Sequence, residues 1–265
     1  MLKKIIKIVK WLIIIHLCFV VFAYFFQEKL IFYPSSLPSD YTFKFDRPFT
    51  EVNLKTADGE NINALHFKLD SSKGVVLYFH GNSGNLSNWG NVVDYFSRYH
   101  YDVLVMDFRG YGKSTGSFNE ELMYKDAQLC YDYLKKQYSE SEIVIYGKSM
   151  GTTFATKMAT DNHPKHLMLE VPFANLASAG RYRFPLLPMS LLKFNFETDK
   201  YISQVDCPIT LFHGTEDLIT SYDDSLELFR LANSENKEFI TIPGGSHNNL
   251  VQYKLYQEVL SRRLE

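Results

Sequence analysis

The chain has 265 residues, 46% of them hydrophobic and 15% aromatic, with a formal net charge of −2. Once an N-terminal segment is set aside, that length and apolar content suit one α/β domain with a sizeable core. The near-neutral balance, with no Lys/Arg cluster beyond the extreme N-terminus, excludes a surface built to neutralise a run of nucleic-acid phosphates.

Lys3, Lys4, Lys7 and Lys10 precede the apolar run Trp11 to Phe26, where His16 and the flanking Gln27 are the only strongly polar residues. Counted from Ile5, the segment reaches the ~20 residues a helix needs to span a bilayer. Its end, Ala23-Tyr24-Phe25-Phe26, is too bulky for a signal-peptide cut site. Leu17 stands where a lipobox around Cys18 needs a small residue. Residues 1–28 are therefore expected to form an uncleaved, single-pass signal anchor. Its lysines keep the N-terminus cytoplasmic and place the C-terminal domain outside the cytoplasm, in the periplasm if the source is Gram-negative. Cys18, Cys130 and Cys207 read as three buried thiols, since sequence position alone gives no geometry for joining the last two.

Residues 29–50 read as a stalk and entry segment broken by Pro34, Pro38 and Pro48. Its Leu30-Ile31-Phe32-Tyr33-Pro34 fits either the membrane interface or a contact on the domain. From residue 51 to 265 strands and helices alternate. Val52–Thr56 and Ile62–Leu69 alternate in polarity around Asp58-Gly59, which predicts an antiparallel hairpin. Apolar strands are predicted at Gly74–Phe79, Val103–Met106, Ile143–Tyr146, Leu167–Leu169, Ile209–Phe212 and Phe239–Ile242. Helices are predicted at Trp89–Tyr99, Glu120–Gln137, Thr152–Ala159, Ser225–Ala232 and Asn249–Leu264. The fold class is α/β, a mostly parallel doubly wound sheet covered on both faces. The interval from about 172 to 206 is too long for a simple connection and predicts a small helical cap. Its apolar and basic content suits lipid contact or an acyl pocket, and equally an amphipathic helix packed on the domain.

Gly147-Lys148-Ser149-Met150-Gly151 ends a β-branched run and opens a helical stretch, the strand–turn–helix setting of a nucleophile elbow. After the strand at Ile209–Phe212 comes His213-Gly214-Thr215-Glu216-Asp217, and after Phe239–Ile242 comes Pro243-Gly244-Gly245-Ser246-His247. Reactive groups gather at strand C-termini in open α/β sheets. Ser149 is thus the expected nucleophile, His247 its base and Asp217 the acid that orients the base. Glu170, which ends the preceding strand, is the rival for the acid. An oxyanion hole needs two backbone N–H groups. Met150 follows the nucleophile, and Asn82 of the His80-Gly81-Asn82-Ser83-Gly84 turn is the choice for the second. His80 is expected to brace that turn, while Asp107 and Arg109 are expected to order the Gly-rich loop after Met106.

These motifs resemble the α/β-hydrolase superfamily, and within it the membrane-anchored group around Bem46 and the ABHD13/ABHD17-like serine hydrolases. The similarity runs from Leu30-Ile31-Phe32-Tyr33-Pro34 through His80-Gly81-Asn82, Asp107-Phe108-Arg109-Gly110-Tyr111-Gly112, Gly147–Gly151, Pro172-Phe173, His213-Gly214…Asp217 and Gly245-Ser246-His247. It implies a Ser-Asp-His hydrolase with a small cap, acting on esters or thioesters, often lipid-like, without a cofactor or metal. Relatives that remove palmitate carry an N-terminal cysteine cluster, whereas here an apolar run with one cysteine stands, so protein depalmitoylation is not carried over. The expected activity is cleavage of an acyl ester or thioester through an acyl-Ser149 intermediate. An amidase or prolyl-aminopeptidase-type peptidase is the alternative within the fold, disfavoured because no carboxylate of the cap is clearly placed for a substrate amino terminus. A catalytically silent partner-binding domain is the alternative from outside it.

Overall fold

The computed structural model describes residues 1–265. Eight strands form one sheet: β1 (Phe49–Lys55), β2 (Asn61–Phe67), β3 (Val75–Phe79), β4 (Asp102–Met106), β5 (Ile143–Lys148), β6 (His166–Glu170), β7 (Ile209–Gly214) and β8 (Lys237–Ile242). Their order is β1-β2-β4-β3-β5-β6-β7-β8. The hairpin β1–β2 and the β2–β4 pair are antiparallel, and every other pairing is parallel. Strands β3 and β4 are buried along their whole length because helices cover both faces of the sheet. Val75, Leu77 and Phe79 enter one core with residues of α2 (Glu120–Lys135) and α3 (Gly151–Asp161). Val76 and Tyr78, one residue out of phase, enter the other with residues of the C-terminal helix Lys254–Leu264.

Two predicted helices are interrupted. The span expected at Asn249–Leu264 is a 3-10 turn at Leu250–Gln252, an extended Tyr253 and a helix at Lys254–Leu264. The span expected at Trp89–Tyr99 is a helix at Leu86–Trp89, a 3-10 turn at Gly90–Val92 and a helix at Val93–Ser97. The Phe45 ring lies so close to Gly90 that a Cβ there would meet its Cζ at 2.3 Å. That long-range aromatic contact, invisible to local periodicity, leaves room only for glycine at this position.

The N-terminal helix α1 runs unbroken from Leu2 to Ile31, with an 18-residue window of mean hydropathy 2.4. It is long and apolar enough to cross a membrane, and it passes the boundary expected at residue 28. Ala23 and Gln27 are buried, Val20, Leu30 and Ile31 partly so, and Leu2–Ile13 and Ile15–Phe19 are exposed. Spacing of three and four residues puts the buried group on one face. Gln27 accepts from Lys193 N at 2.7 Å and donates to Leu191 O at 3.3 Å. Phe32, just past the helix, stacks on Phe118 at 4.1 Å and meets Phe194 edge-on at 5.0 Å. Tyr33–Pro34 pair in parallel with Ser83–Gly84. The Leu30–Pro34 segment therefore packs on the domain.

Between β6 and β7 the chain forms a short helical insert, with α4 (Leu176–Arg183), a 3-10 turn at Met189–Leu191 and α5 (Thr198–Ile202). Asn175 begins α4 with a capping box to Ser178. The cysteines correct the expectation of three buried thiols: Cys130 is buried, Cys207 only partly, and Cys18 lies on the exposed face of α1.

His66, His166 and His213 are buried, and desolvation pushes each down to about 4. Below pH 6.5 the unfolded chain binds protons that these rings refuse, so their contribution is complete above that pH and is lost as pH falls towards 4. Each pH unit in that window is worth up to about 1.4 kcal/mol per histidine. Urea midpoints are expected to fall continuously from pH 6.5 to 4. A flat profile over that range would overturn this assignment.

Candidate active site

Strand β5 ends at Lys148, and Ser149 takes φ 52°, in the left-handed region, before α3 begins at Gly151. The turn allows no extra atoms at its two glycines. A Cβ on Gly147 would lie 2.6 Å from Gly151 O, and one on Gly151 would lie 2.1 Å from Phe79 O. Ser149 N donates to Glu170 O at 2.9 Å, and its carbonyl accepts from Thr152 N at 2.9 Å. The Ser149 hydroxyl makes no hydrogen bond, His247 included, and is not among the buried unpartnered polar atoms, although the residue as a whole is only 9% exposed.

Asp217 and His247 come together because the loops after β7 and β8 pack backbone on backbone. A Cβ on Gly214 would sit 2.1 Å from Gly245 O, and Glu216 N donates to that same carbonyl at 2.8 Å. His247 Nδ1 then lies 2.8 Å from Asp217 Oδ2. Asp217 Oδ1 accepts from Ile219 N at 2.7 Å and Thr220 N at 3.0 Å, while Thr220 Oγ1 donates to Oδ2 at 2.9 Å. Burial works to raise the Asp217 carboxyl, but the His247 contact and the two backbone donors hold it below its usual value. An ionised acceptor places the His247 proton on Nδ1 and leaves Nε2 free to accept one. Thr220 and the buried His213, whose Nε2 lies 3.5 Å from Asp217 Oδ2, complete this cluster. Neither was picked out from the sequence, since only the folded loop brings them to the carboxylate.

Glu170 faces a different set of partners. Its carboxylate accepts from Lys148 Nζ at 2.6 Å and Tyr146 OH at 2.6 Å, inside a buried cluster with Tyr256. It holds the turn from below while His247 rests on Asp217.

The backbone N–H groups of Met150 and Asn82 have no intramolecular acceptor. Met150 N stands at the positive end of α3. The Asn82 carbonyl is fixed by Tyr33 N at 2.9 Å and Tyr111 OH at 2.8 Å, and its side-chain amide donates to Ile31 O at 2.7 Å. Gly81 runs alongside Ser149, a Cβ there falling 3.7 Å from the serine Cβ. His80 braces this turn: Nδ1 donates to Gly81 O at 2.6 Å, Nε2 lies 3.3 Å from Asp107 Oδ1, and the ring stacks on Trp89. Burial raises the Asp107 carboxyl against the pull of His80. Asp107 and Arg109 do not pair with each other. Arg109 makes a two-pronged contact to Asp126, at 2.7 and 2.9 Å, and reaches Asp58 at 3.1 Å.

A chamber of about 380 Å³ opens on Ser149, Met150 and Asn82. Val20, Ala23 and Gln27 of α1 form one wall, and Leu176, Phe184 and Leu191 of the insert face them. No carboxylate lines it, and its one charged residue is Arg183. No group of three His, Cys, Asp or Glu side chains is placed to hold a metal ion.

Residues 70–195 match the family described as Hydrolase_4, serine aminopeptidase, S33. The chain is 27% identical over 258 residues to protein bem46 of Schizosaccharomyces pombe, covering 91% of this chain and 86% of that protein. It is 29% identical over 202 residues to lysophosphatidylserine lipase ABHD12 of Xenopus tropicalis, covering 68% of this chain and about half, 52%, of that longer protein. Among solved structures, esterase Pf2001 of Pyrococcus furiosus superposes with a TM-score of 0.74 at 19% identity, over 88% of this chain and 96% of that one. At that identity the likeness is one of fold.

Truncating His80 leaves the buried Asp107 carboxyl at the turn with Leu86 N, at 3.1 Å, as its one remaining donor. His80→Ala is expected to lower stability by about 3 kcal/mol, read from urea unfolding. A loss indistinguishable from zero would mean that the Asp107 contact does not hold the turn.

Proposed function

We propose that the chain is an esterase/lipase-like member of the α/β-hydrolase superfamily that cleaves lipid-like acyl esters or thioesters through an acyl-Ser149 intermediate, a reading supported by the family match over residues 70–195 and by the likeness to protein bem46 and ABHD12. The observation that carries the substrate class is the chamber: apolar on nearly every side, without a carboxylate, and ending at the serine. A serine aminopeptidase needs an anion for the substrate's amino terminus, and here the one charge in the wall is the cation Arg183. That sets the ester reading above the peptidase named in the family description. The lipase activity in the name of ABHD12 points the same way.

In this mechanism Ser149 Oγ attacks the acyl carbonyl while His247 Nε2 takes its proton. Asp217, held ionised by its donors, keeps the His247 proton on Nδ1 and stabilises the imidazolium. The tetrahedral oxyanion receives hydrogen bonds from Met150 N–H and Asn82 N–H, both lacking other acceptors and both fixed before substrate arrives. His247 then returns the proton to the leaving alcohol or thiol, and water enters by the same route to release the acid. Helix α1 serves as a single-pass anchor, with Lys3, Lys4, Lys7 and Lys10 on the cytoplasmic side and the hydrolase domain on the other.

An alkyl fluorophosphonate is expected to label wild type at Ser149 and to leave Ser149→Ala unlabelled. Asp217→Asn is expected to lower kcat on p-nitrophenyl esters by about 10³–10⁴ while the protein stays folded. Glu170→Gln is expected to lower stability through the stranded Lys148 ammonium and to keep kcat near wild type. A folded wild type that takes no label, or one that turns over peptides and no ester, would remove the proposal. Loss of kcat in Glu170→Gln rather than Asp217→Asn would reassign the acid.

A further inference from the structure

Three residues of α1 stand in two places at once. Val20, Ala23 and Tyr24 belong to the apolar run Trp11–Phe26, bounded by Lys10 on one side and Glu28-Lys29 on the other. They also line the chamber that ends at Ser149. A helix inserted to the limits of its apolar run therefore carries the chamber wall into the outer part of the bilayer. The length agrees. Trp11–Phe26 spans ~24 Å at 1.5 Å per residue, within the ~30 Å of a hydrocarbon core, so Val20, Ala23 and Tyr24 fall in its outer half when Lys3, Lys4, Lys7 and Lys10 stay at the cytoplasmic side.

The opposite wall is built for the same surroundings. The insert exposes Tyr182, Phe184, Leu186 and Leu191, at 46%, 42%, 79% and 41%. Phe184 and Leu191 line the chamber as well. Apolar side chains exposed on both sides of an opening and continuous with a lipid-facing helix are stable in hydrocarbon and costly in water. The two walls are tied together by the Gln27 side chain, through Lys193 N and Leu191 O. The amide satisfies backbone groups that would otherwise be stranded at an apolar interface.

Resting on the serine-esterase reading above, we propose that the α1–insert chamber is the acyl site for a lipid drawn sideways out of the bilayer. One long acyl chain lies against Val20, Ala23 and Leu30 and brings its ester to Ser149 without passing through water. The anchor is then part of the substrate site as well as a tether. The substrate class is a membrane-resident ester with at least one long chain, in preference to a soluble short-chain ester.

The test uses the full chain in phosphatidylcholine vesicles and an alkyl fluorophosphonate with a diazirine at the end of a long chain. The probe joins Ser149 Oγ to phosphorus with loss of fluoride, and light then fixes the chain end to whatever it touches. Cross-links to peptides covering residues 20–31 and 176–192 are expected. Ala23→Trp, which fills the chamber from the α1 side, is expected to lower the palmitoyl-to-acetyl ratio of kcat/KM on p-nitrophenyl esters by about tenfold or more. Phe25→Trp, on the exposed face, is expected to leave that ratio unchanged. Labelling of Ser149 with cross-links only outside α1, or a ratio unmoved by Ala23→Trp, would overturn the proposal and leave the esterase standing. Absence of label at Ser149 would overturn both.

Discussion

The end of β3 passes over the first turn of α3 at a distance that only glycine permits, with Phe79 O 2.1 Å and His80 O 2.7 Å from where a Gly151 Cβ would be. That crossing sets the height of α3 against the sheet. The height in turn puts Met150 N–H beside the His80-Gly81-Asn82 turn and puts Ser149 at the sheet's C-terminal edge. Ser149 carries the cost as a left-handed backbone conformation, on the order of 1–3 kcal/mol for a non-glycine residue. The strain persists because β3, β5 and β6 are buried on both faces and leave the turn nowhere to relax.

Three carboxylates lie near the same edge of the sheet, and their neighbours separate them. Asp107 faces His80, Glu170 faces Lys148 and two tyrosines, and Asp217 faces His247. Each is buried, and each would be strongly destabilising without its partner. Such pairs add little net stability compared with apolar packing, but they fix orientation. His80 and Asp107 fix the turn that carries the Asn82 N–H. Glu170 fixes the floor under Ser149. Asp217 alone is in contact with an imidazole whose second nitrogen remains open. Arg109, clamped on Asp126 and Asp58, joins the loop after β4 to α2 and to the β1–β2 hairpin.

Helix α1 meets the domain through a narrow face, where Ala23 allows close approach and Gln27 supplies the polar contacts. Phe32 then enters the core among Phe118, Phe194 and Phe196. The transition from exposed apolar helix to globular core thus takes place within about ten residues, between Ala23 and Phe32.

The sequence alone determined the α/β class and the order of the strands along the chain, and it singled out Ser149, Asp217 and His247. Runs such as Val-Val-Leu-Tyr-Phe at 75–79 have the period of strands buried on both faces, and Gly147 and Gly151 bracket a serine at the one spacing that makes a sharp turn. Those are local signals. Contacts between distant segments left no such trace. The Phe45 ring left room only for glycine at position 90, and the Gly214–Gly245 approach decided that Asp217 rather than Glu170 touches His247. Thr220 and His213 joined the acid, Asp107 and Arg109 took separate partners, and Cys18 proved exposed. Above all, Val20, Ala23 and Gln27 read in sequence only as part of an apolar helix. Their place in the wall above Ser149 depends on how a thirty-residue helix docks on an insert more than 140 residues away in the chain, and no local period records that.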